Sequence, residues 1–320
     1  MAIEILLLLA LPASGKSELR RYMETLDPAA ARDDLRMGPT VQLDDYPYVH
    51  MMRRIAEEVR QAGDSPVFFA SNDEPFLDAG DWGTLMHLLN FDYAELASPP
   101  ADLDTGAAAP WLFARLDRAR ELAGLPPAIE PLGAMTKKRL LGALEHEARE
   151  VFDDKRAMIP AELEGKTIVI EFARGGPEGS ALPLPAPYGY QHALSLLDDE
   201  ILESATILYV WVEPEESRRK NEERAVRGRD GDASILHHGV PEAVMRNDYG
   251  TDDLMWMLSQ GGGSFIFIEK GDVRFGIPTG VFDNRADLTS FLRADPADWS
   301  QFEIRQLHRE LVNATAGVRT

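Results

Sequence analysis

The sequence predicts an α/β protein: a mostly parallel sheet flanked by helices, with a helical insertion. The first apolar run, Ile5-Leu6-Leu7-Leu8-Leu9, does not alternate with polar residues, as expected of a parallel strand covered on both faces. Further strand-like runs recur at 40–43, 66–70, 167–172, 206–212, 264–268 and 280–282, many of them separated by helix-like stretches at 15–26, 49–61, 191–203, 214–227 and 287–293. Residues from about 80 to 160 carry three helical patterns, at 82–96, 111–123 and 136–156, and no strand pattern. Residues 1–80 and 161–298 are therefore expected to form the core, 81–160 a substrate or partner subdomain, and 299–320 a C-terminal helix and tail. The segments 98–110 and 175–187 read as loops, being rich in Pro, Ala and Gly.

The composition excludes several classes of function. At 320 residues, 44% hydrophobic and 27% charged, the chain can bury a substantial core. Its 33 Lys and Arg against 54 Asp and Glu leave a net charge of −21, which repels phosphate polymers and anionic membranes, so nucleic acid is not an expected partner. With no cysteine, disulfides, thiolate metal sites and thiol catalysis are excluded, and a cytoplasmic location is expected. The start resembles the apolar stretch of a signal peptide, but Glu4 stands where a cation belongs, and the run is far shorter than a bilayer span. A buried strand is expected there, and no membrane association.

Directly after that strand comes Ala10-Leu11-Pro12-Ala13-Ser14-Gly15-Lys16-Ser17, leading into a helical pattern. A loop between a strand and a helix gathers backbone N–H groups at the positive end of the helix dipole, which suits an anionic phosphate. Gly15 permits close backbone approach. The segment resembles a Walker A P-loop, with Ala10 in place of the usual first glycine, and its Pro12, Ser14 and Gly-Lys-Ser resemble P-loop kinases of the polynucleotide-kinase and zeta-toxin type. The resemblance implies ATP and Mg2+ as cofactors. Pro12, Ala13, Ser14, Gly15, Lys16 and Ser17 would then hold the phosphates, with Lys16 also catalytic and Ser17 a metal ligand.

Val41-Gln42-Leu43 is followed by Asp44-Asp45-Tyr46, which resembles the strand-end acid of such kinases. Asp44 is the expected catalytic carboxylate for the acceptor hydroxyl, with Asp45 on the substrate side. Pro47 stands where the family often has arginine. Arg32-Asp33-Asp34-Leu35-Arg36 carries a similar pattern but no strand precedes it, so an exposed helix end is expected. Thr167-Ile168-Val169-Ile170-Glu171 resembles a Walker B strand. Glu171 is expected near the metal and Arg174 near a substrate phosphate, with Asp73 after 66–70 as a rival acid.

On a helix over 214–227, Lys220, Arg224 and Arg227 share one face. This resembles the arginine lid of the same kinases, implying that Lys220 contacts the cofactor while Arg224 and Arg227 act in catalysis. The alternative is a solvated helix held by the pairs Glu216–Lys220 and Glu223–Arg227, each worth about 0.3–0.5 kcal/mol. His237-His238-Gly239-Val240-Pro241 resembles the segment that follows the lid, and His238 is a substrate-side candidate. Asn284, after the last strand, resembles a residue near the adenine and is placed with the cofactor, although it can equally cap a turn.

The expected function is transfer of the ATP γ-phosphate to a hydroxyl of a small molecule or nucleotide. The alternative is an ATP-binding or ATP-hydrolysing regulatory protein that uses the helical insertion to bind a partner.

Overall fold

The computed structural model describes residues 2–99, 106–228 and 239–316, with the side chains of 225–228 excepted. In chain order the elements are β1 (Ile5–Leu9), α1 (Lys16–Thr25), α2 (Pro28–Leu35), β2 (Thr40–Asp44), α3 (Tyr46–Gln61), α4 (Asp81–Ala97), α5 (Ala108–Leu122), α6 (Ala134–Ala157), β3 (Thr167–Phe172), α7 (Gly189–Ser195), α8 (Asp199–Ser204), β4 (Ala205–Trp211), α9 (Pro214–Gly228), α10 (Glu242–Asn247), α11 (Leu254–Gln260), β5 (Phe265–Lys270), β6 (Val273–Asp283) and α12 (Gln301–Ala316). Six strands form one sheet in the order β2-β3-β1-β4-β6-β5. β1 is parallel to β3 and β4, β4 is parallel to β6, and β5 and β6 form an antiparallel hairpin. The chain is therefore α/β with a mostly parallel sheet. No helix among the described residues is long and apolar enough to cross a membrane.

By compactness the chain divides into two units, Met1–Thr40 with Gly165–Ser195 and Asp199–Thr320, and Val41–Glu164 with Leu196–Asp198. In the first unit, Leu6, Leu8, Val169, Leu208 and Val210 share one apolar cluster with Leu19, Tyr22 and Met23 of α1 and Leu307 and Leu311 of α12. Alternate residues face the other way, and Tyr190 of α7 lies against Phe172 and Tyr209. This two-sided covering explains why β1 is apolar throughout, its five residues being at most 2% exposed.

The second unit packs α3, α4, α5 and α6 together. A buried polar network crosses it: Asp92 accepts from Tyr48 Oη at 2.7 Å, Arg115 Nη2 at 2.8 Å and Lys155 Nζ at 2.6 Å. Arg115 also pairs with Glu95. One residue from each of α3, α5 and α6 thus meets a single carboxylate on α4. The second unit begins at Val41 rather than near 80, because the buried face of α3, carrying Tyr48, Met51, Met52 and Ile55, packs within it.

Four expectations about local structure need correction. Residues 66–70 form no strand: Phe68 has a left-handed backbone (φ 57), and Phe69 makes only an isolated bridge to Phe76. The helix expected over 191–203 is broken between Ser195 and Asp199, where the Asn90 amide donates to Leu196 O at 2.8 Å and accepts from Asp198 N at 3.1 Å. The helix expected over 287–293 shrinks to a 3-10 turn at Ser290–Arg293, since Asp287 has φ 54. The strand expected at 280–282 extends back to Val273, because a turn at Gly271 (φ 58) lets the first part of β6 pair with β5.

Candidate functional site

The segment between β1 and α1 is built by three bonds to its carbonyls. Ser14 Oγ donates to Leu11 O at 2.5 Å, Ser217 Oγ of α9 donates to Pro12 O at 2.7 Å, and Asn284 Nδ2 donates to Ser14 O at 2.7 Å. In a trans peptide, C=O and the following N–H point opposite ways. Fastening Pro12 O and Ser14 O to the protein therefore turns the N–H groups of Ala13 and Gly15 to the other side. Ala13 (φ 55) and Gly15 (φ 98) both have left-handed backbones, which folds successive amides into a concave nest. Among the described residues, nothing accepts from the backbone N–H of Ala13, Ser14 or Gly15. A Cβ on Gly15 would stand 2.3 Å from Thr289 Oγ1 and 2.7 Å from Asn284 Nδ2, so the position requires glycine for space as well as for φ.

Lys16 and Ser17 open α1, both partly buried. Lys16 Nζ donates to Phe172 O at 3.0 Å and lies 3.8 Å from Glu171 Oε1, while Arg20 Nη1 bonds Glu171 Oε2 at 3.3 Å. The structure thus brings Glu171 beside Lys16, its carboxylate shared between two cations. Arg174 is 2% exposed, donates to Ala173 O at 2.6 Å and sits 5.2 Å from the Phe172 ring.

The cationic face of α9 is tied to anions on neighbouring elements. Lys220 is 2% exposed, with Nζ 2.9 Å from Asp287 Oδ1 and 3.9 Å from Glu216. Arg224 Nη2 lies 3.5 Å from Glu18 Oε1, which also accepts from Arg293 Nε at 2.7 Å. Burial pushes the Glu18 carboxyl up, but Arg224 and Arg293 outweigh it and hold it below its ordinary range. Burial pushes Arg224 down. The Arg227 side chain and His238 lie outside the described residues. Asn221 donates to Val240 O at 2.7 Å and accepts from Val240 N at 2.8 Å, joining α9 to the chain after the undescribed stretch 229–238.

Asn284 is fully buried. Its Nδ2 donates to Ser14 O and to Thr289 Oγ1 at 2.9 Å, and its Oδ1 accepts from Leu288 N at 2.7 Å. The Asn284 amide, read from sequence as a base contact or a cap, braces the turn, and Lys220 pairs with Asp287. Sequence reasoning missed Ser217, Glu18, Thr289 and Arg293. The partners of Ser217, Glu18 and Arg293 are remote in the chain, and nothing in the local patterns of the four distinguishes them from ordinary surface or cap residues.

Asp44 and Asp45 lie in the second unit. Asp44 ends β2, its Oδ1 accepting from Tyr46 N at 3.1 Å and its carbonyl from Lys155 Nζ at 3.4 Å, and Asp45 precedes the first turn of α3. Arg32–Arg36 falls on α2 and its C-terminal end, as the absence of a preceding strand implied. Among the described residues no three His, Asp or Glu side chains cluster at metal-binding spacing. No family model matches the chain, and no curated protein or solved structure matches it significantly.

Proposed function

We propose that the chain is an ATP-dependent phosphotransferase of the P-loop kinase type, moving the γ-phosphate of ATP to a hydroxyl of a small molecule or nucleotide. The observation that carries the reading is the turn between β1 and α1, whose carbonyls are fastened inward and whose amides form a nest at the start of a ten-residue helix. Such a nest is complementary to a phosphate chain. Lys16, one residue beyond it, is held by Phe172 O and Glu171, and exchanging these for phosphate oxygens brings its ammonium to the developing charge.

The donor set suits a magnesium ion in part. The Ser17 hydroxyl would ligate it together with phosphate oxygens, and Glu171, already paired with Lys16 and Arg20, would reach it through water. Bound magnesium supplies neutralisation of phosphate charge. In the transfer, the acceptor oxygen forms a bond to the γ-phosphorus, the bond to the bridging oxygen breaks, and ADP leaves with that oxygen. The hydroxyl proton passes to a carboxylate, a role we assign to Asp44, with Asp45, Arg174 and His238 on the acceptor side. Arg224 and Arg227 supply cationic charge, and Lys220 and Asn284 position the turn and its flanking helix.

Calorimetric titration with ATP and magnesium, followed by ADP formation against a panel of nucleosides, sugars and phosphometabolites, tests the reading. ATP is expected to bind, with AMP much weaker, and one acceptor class to stimulate ADP release. Lys16→Ala should abolish ATP-dependent thermal stabilisation, and unaltered ATP affinity in that variant would overturn the assignment.

A further inference from the structure

We propose that the helical second unit holds a binding site for a small neutral cyclic amide, recognised through its adjacent N–H and C=O by Asp81 and Arg120. A cavity of about 460 Å3 lies wholly within this unit. Asp81, the first residue of α4, lines it and is fully buried. Its Oδ1 accepts from Thr84 Oγ1 at 3.0 Å and lies 2.9 Å from Arg120 Nε, but its Oδ2 has no hydrogen-bond partner. A buried carboxylate oxygen without a donor costs on the order of 1–3 kcal/mol and calls for a physical account. A ligand N–H supplies one.

Much of the rest of the wall is apolar. Arg120 stands 5.3 Å over the Phe68 ring, Val67, Leu77, Pro127 and Leu132 add apolar surface, and Asp64, which accepts from Thr136 Oγ1, and Ser65 are the other polar side chains of the lining. Leu77 is 51% exposed, an apolar side chain left open at the rim. Both flanking segments are fastened. Asp117 accepts from Ala128, Ile129 and Glu130 N at 2.7, 2.9 and 2.8 Å, and Phe68, in its left-handed conformation, accepts through its carbonyl from Leu77 N at 2.8 Å. A concave apolar site with a few convergent polar groups is the form small-molecule sites take.

The polar pair selects the ligand class. Asp81 and Arg120 together carry no net charge, so an ionic ligand sets a like charge against one of them. A neutral group must offer a donor to Asp81 and an acceptor to Arg120 on one edge. An open-chain secondary amide is trans and presents N–H and C=O on opposite sides, whereas a small ring holds them cis, on the same edge.

The test uses 2-pyridone as probe, titrated into the full chain without nucleotide and followed by protein NMR, so the outcome is independent of the phosphotransfer reading. Binding in the millimolar range is expected. N-methyl-2-pyridone, which lacks the N–H, and the Asp81→Asn variant should each weaken binding about tenfold or more. Leu77→Asp, at an exposed rim position where folding is not at risk, should weaken it too and decides the matter if Asp81→Asn does not fold. No binding of 2-pyridone up to roughly 20 mM, equal binding of its N-methyl analogue, or affinity unmoved by Leu77→Asp would overturn the proposal.

Discussion

Asn284 donates to the carbonyl of Ser14 at 2.7 Å across 270 residues of sequence, and that single bond couples the end of β6 to the turn that follows β1. The same amide accepts from Leu288 N, so one side chain fixes the loop after β6 and the loop after β1 together. Asn284→Ala leaves a buried carbonyl without its donor and removes the brace on the nest. The expected cost is about 1–3 kcal/mol in urea denaturation, with weaker ATP binding by calorimetry.

Gly15→Ala is expected to be more damaging than its size suggests. The new Cβ meets Thr289 Oγ1 at 2.3 Å, and the backbone sits at φ 98, where an L side chain is strained. Thr289 and Asn284 must yield, and both belong to the frame of the turn. Destabilisation of about 1–3 kcal/mol and at least a tenfold loss of ATP affinity are expected. Thermal unfolding and calorimetry measure the two separately.

The first strand and its turn were legible because their signals are local. Five consecutive apolar residues followed by a Gly-Lys-Ser turn need no partner to be recognised. The brace was not legible: Asn284 reads equally well as a cap or a base contact until Ser14 is placed beside it. The run at 66–70 misled for the opposite reason. Phe68 and Phe69 are buried as a strand's residues would be, but Pro66 and Ala70 are exposed, and Phe69 is held by aromatic packing, 4.4 Å from Phe76, which lies 4.9 Å from Trp82 by ring centroids. Asp44 ends a strand as expected, whereas the pairing of Lys220 with Asp287, 67 residues away, was not legible.

In the helical unit, Asp92→Ala should be among the most destabilising single changes. It strands the Lys155 ammonium, takes one of the two carboxylates of Arg115, both side chains being largely buried, and leaves the Tyr48 hydroxyl without its acceptor. Removal of one partner from a buried ionic network costs about 3–5 kcal/mol. Glu95→Ala removes the more exposed partner of Arg115 and should cost about 1 kcal/mol or less. Paired urea titrations distinguish a network centred on Asp92 from one in which both carboxylates matter equally.

Asp252 should make the first unit less stable as the pH rises through mild acidity. Burial pushes its carboxyl up to about 6, despite the Tyr209 hydroxyl donating at 2.7 Å and Leu254 N at 3.0 Å. Between the ordinary value of 3.8 and about 6 the folded chain holds a proton that the unfolded chain has released, so this contribution to stability falls with rising pH and levels off above 6. Asp252→Asn removes the dependence. The stability of the variant relative to the parent should rise by on the order of 2 kcal/mol between pH 4 and pH 7, read from denaturation midpoints at the two values.

Glu18 carries the opposite sign. Its carboxyl is held below the ordinary 4.5 because, against the opposing effect of burial, Arg224 and Arg293 favour the charged form. The unfolded chain then takes up a proton before the folded one does. The stabilising contribution is complete above pH 4.5 and is lost as the pH falls toward the lowered folded value. Glu18→Gln should therefore be less stable than the parent at pH 7, and the difference should narrow on acidification. The variant also frees Arg224 from its anion while keeping side-chain length. If Arg224 serves a transferring phosphate, ATP affinity holds or rises in Glu18→Gln while stability falls. A parallel loss of both, measured by calorimetry and urea titration on one preparation, would assign the Glu18–Arg224 pair to structure alone.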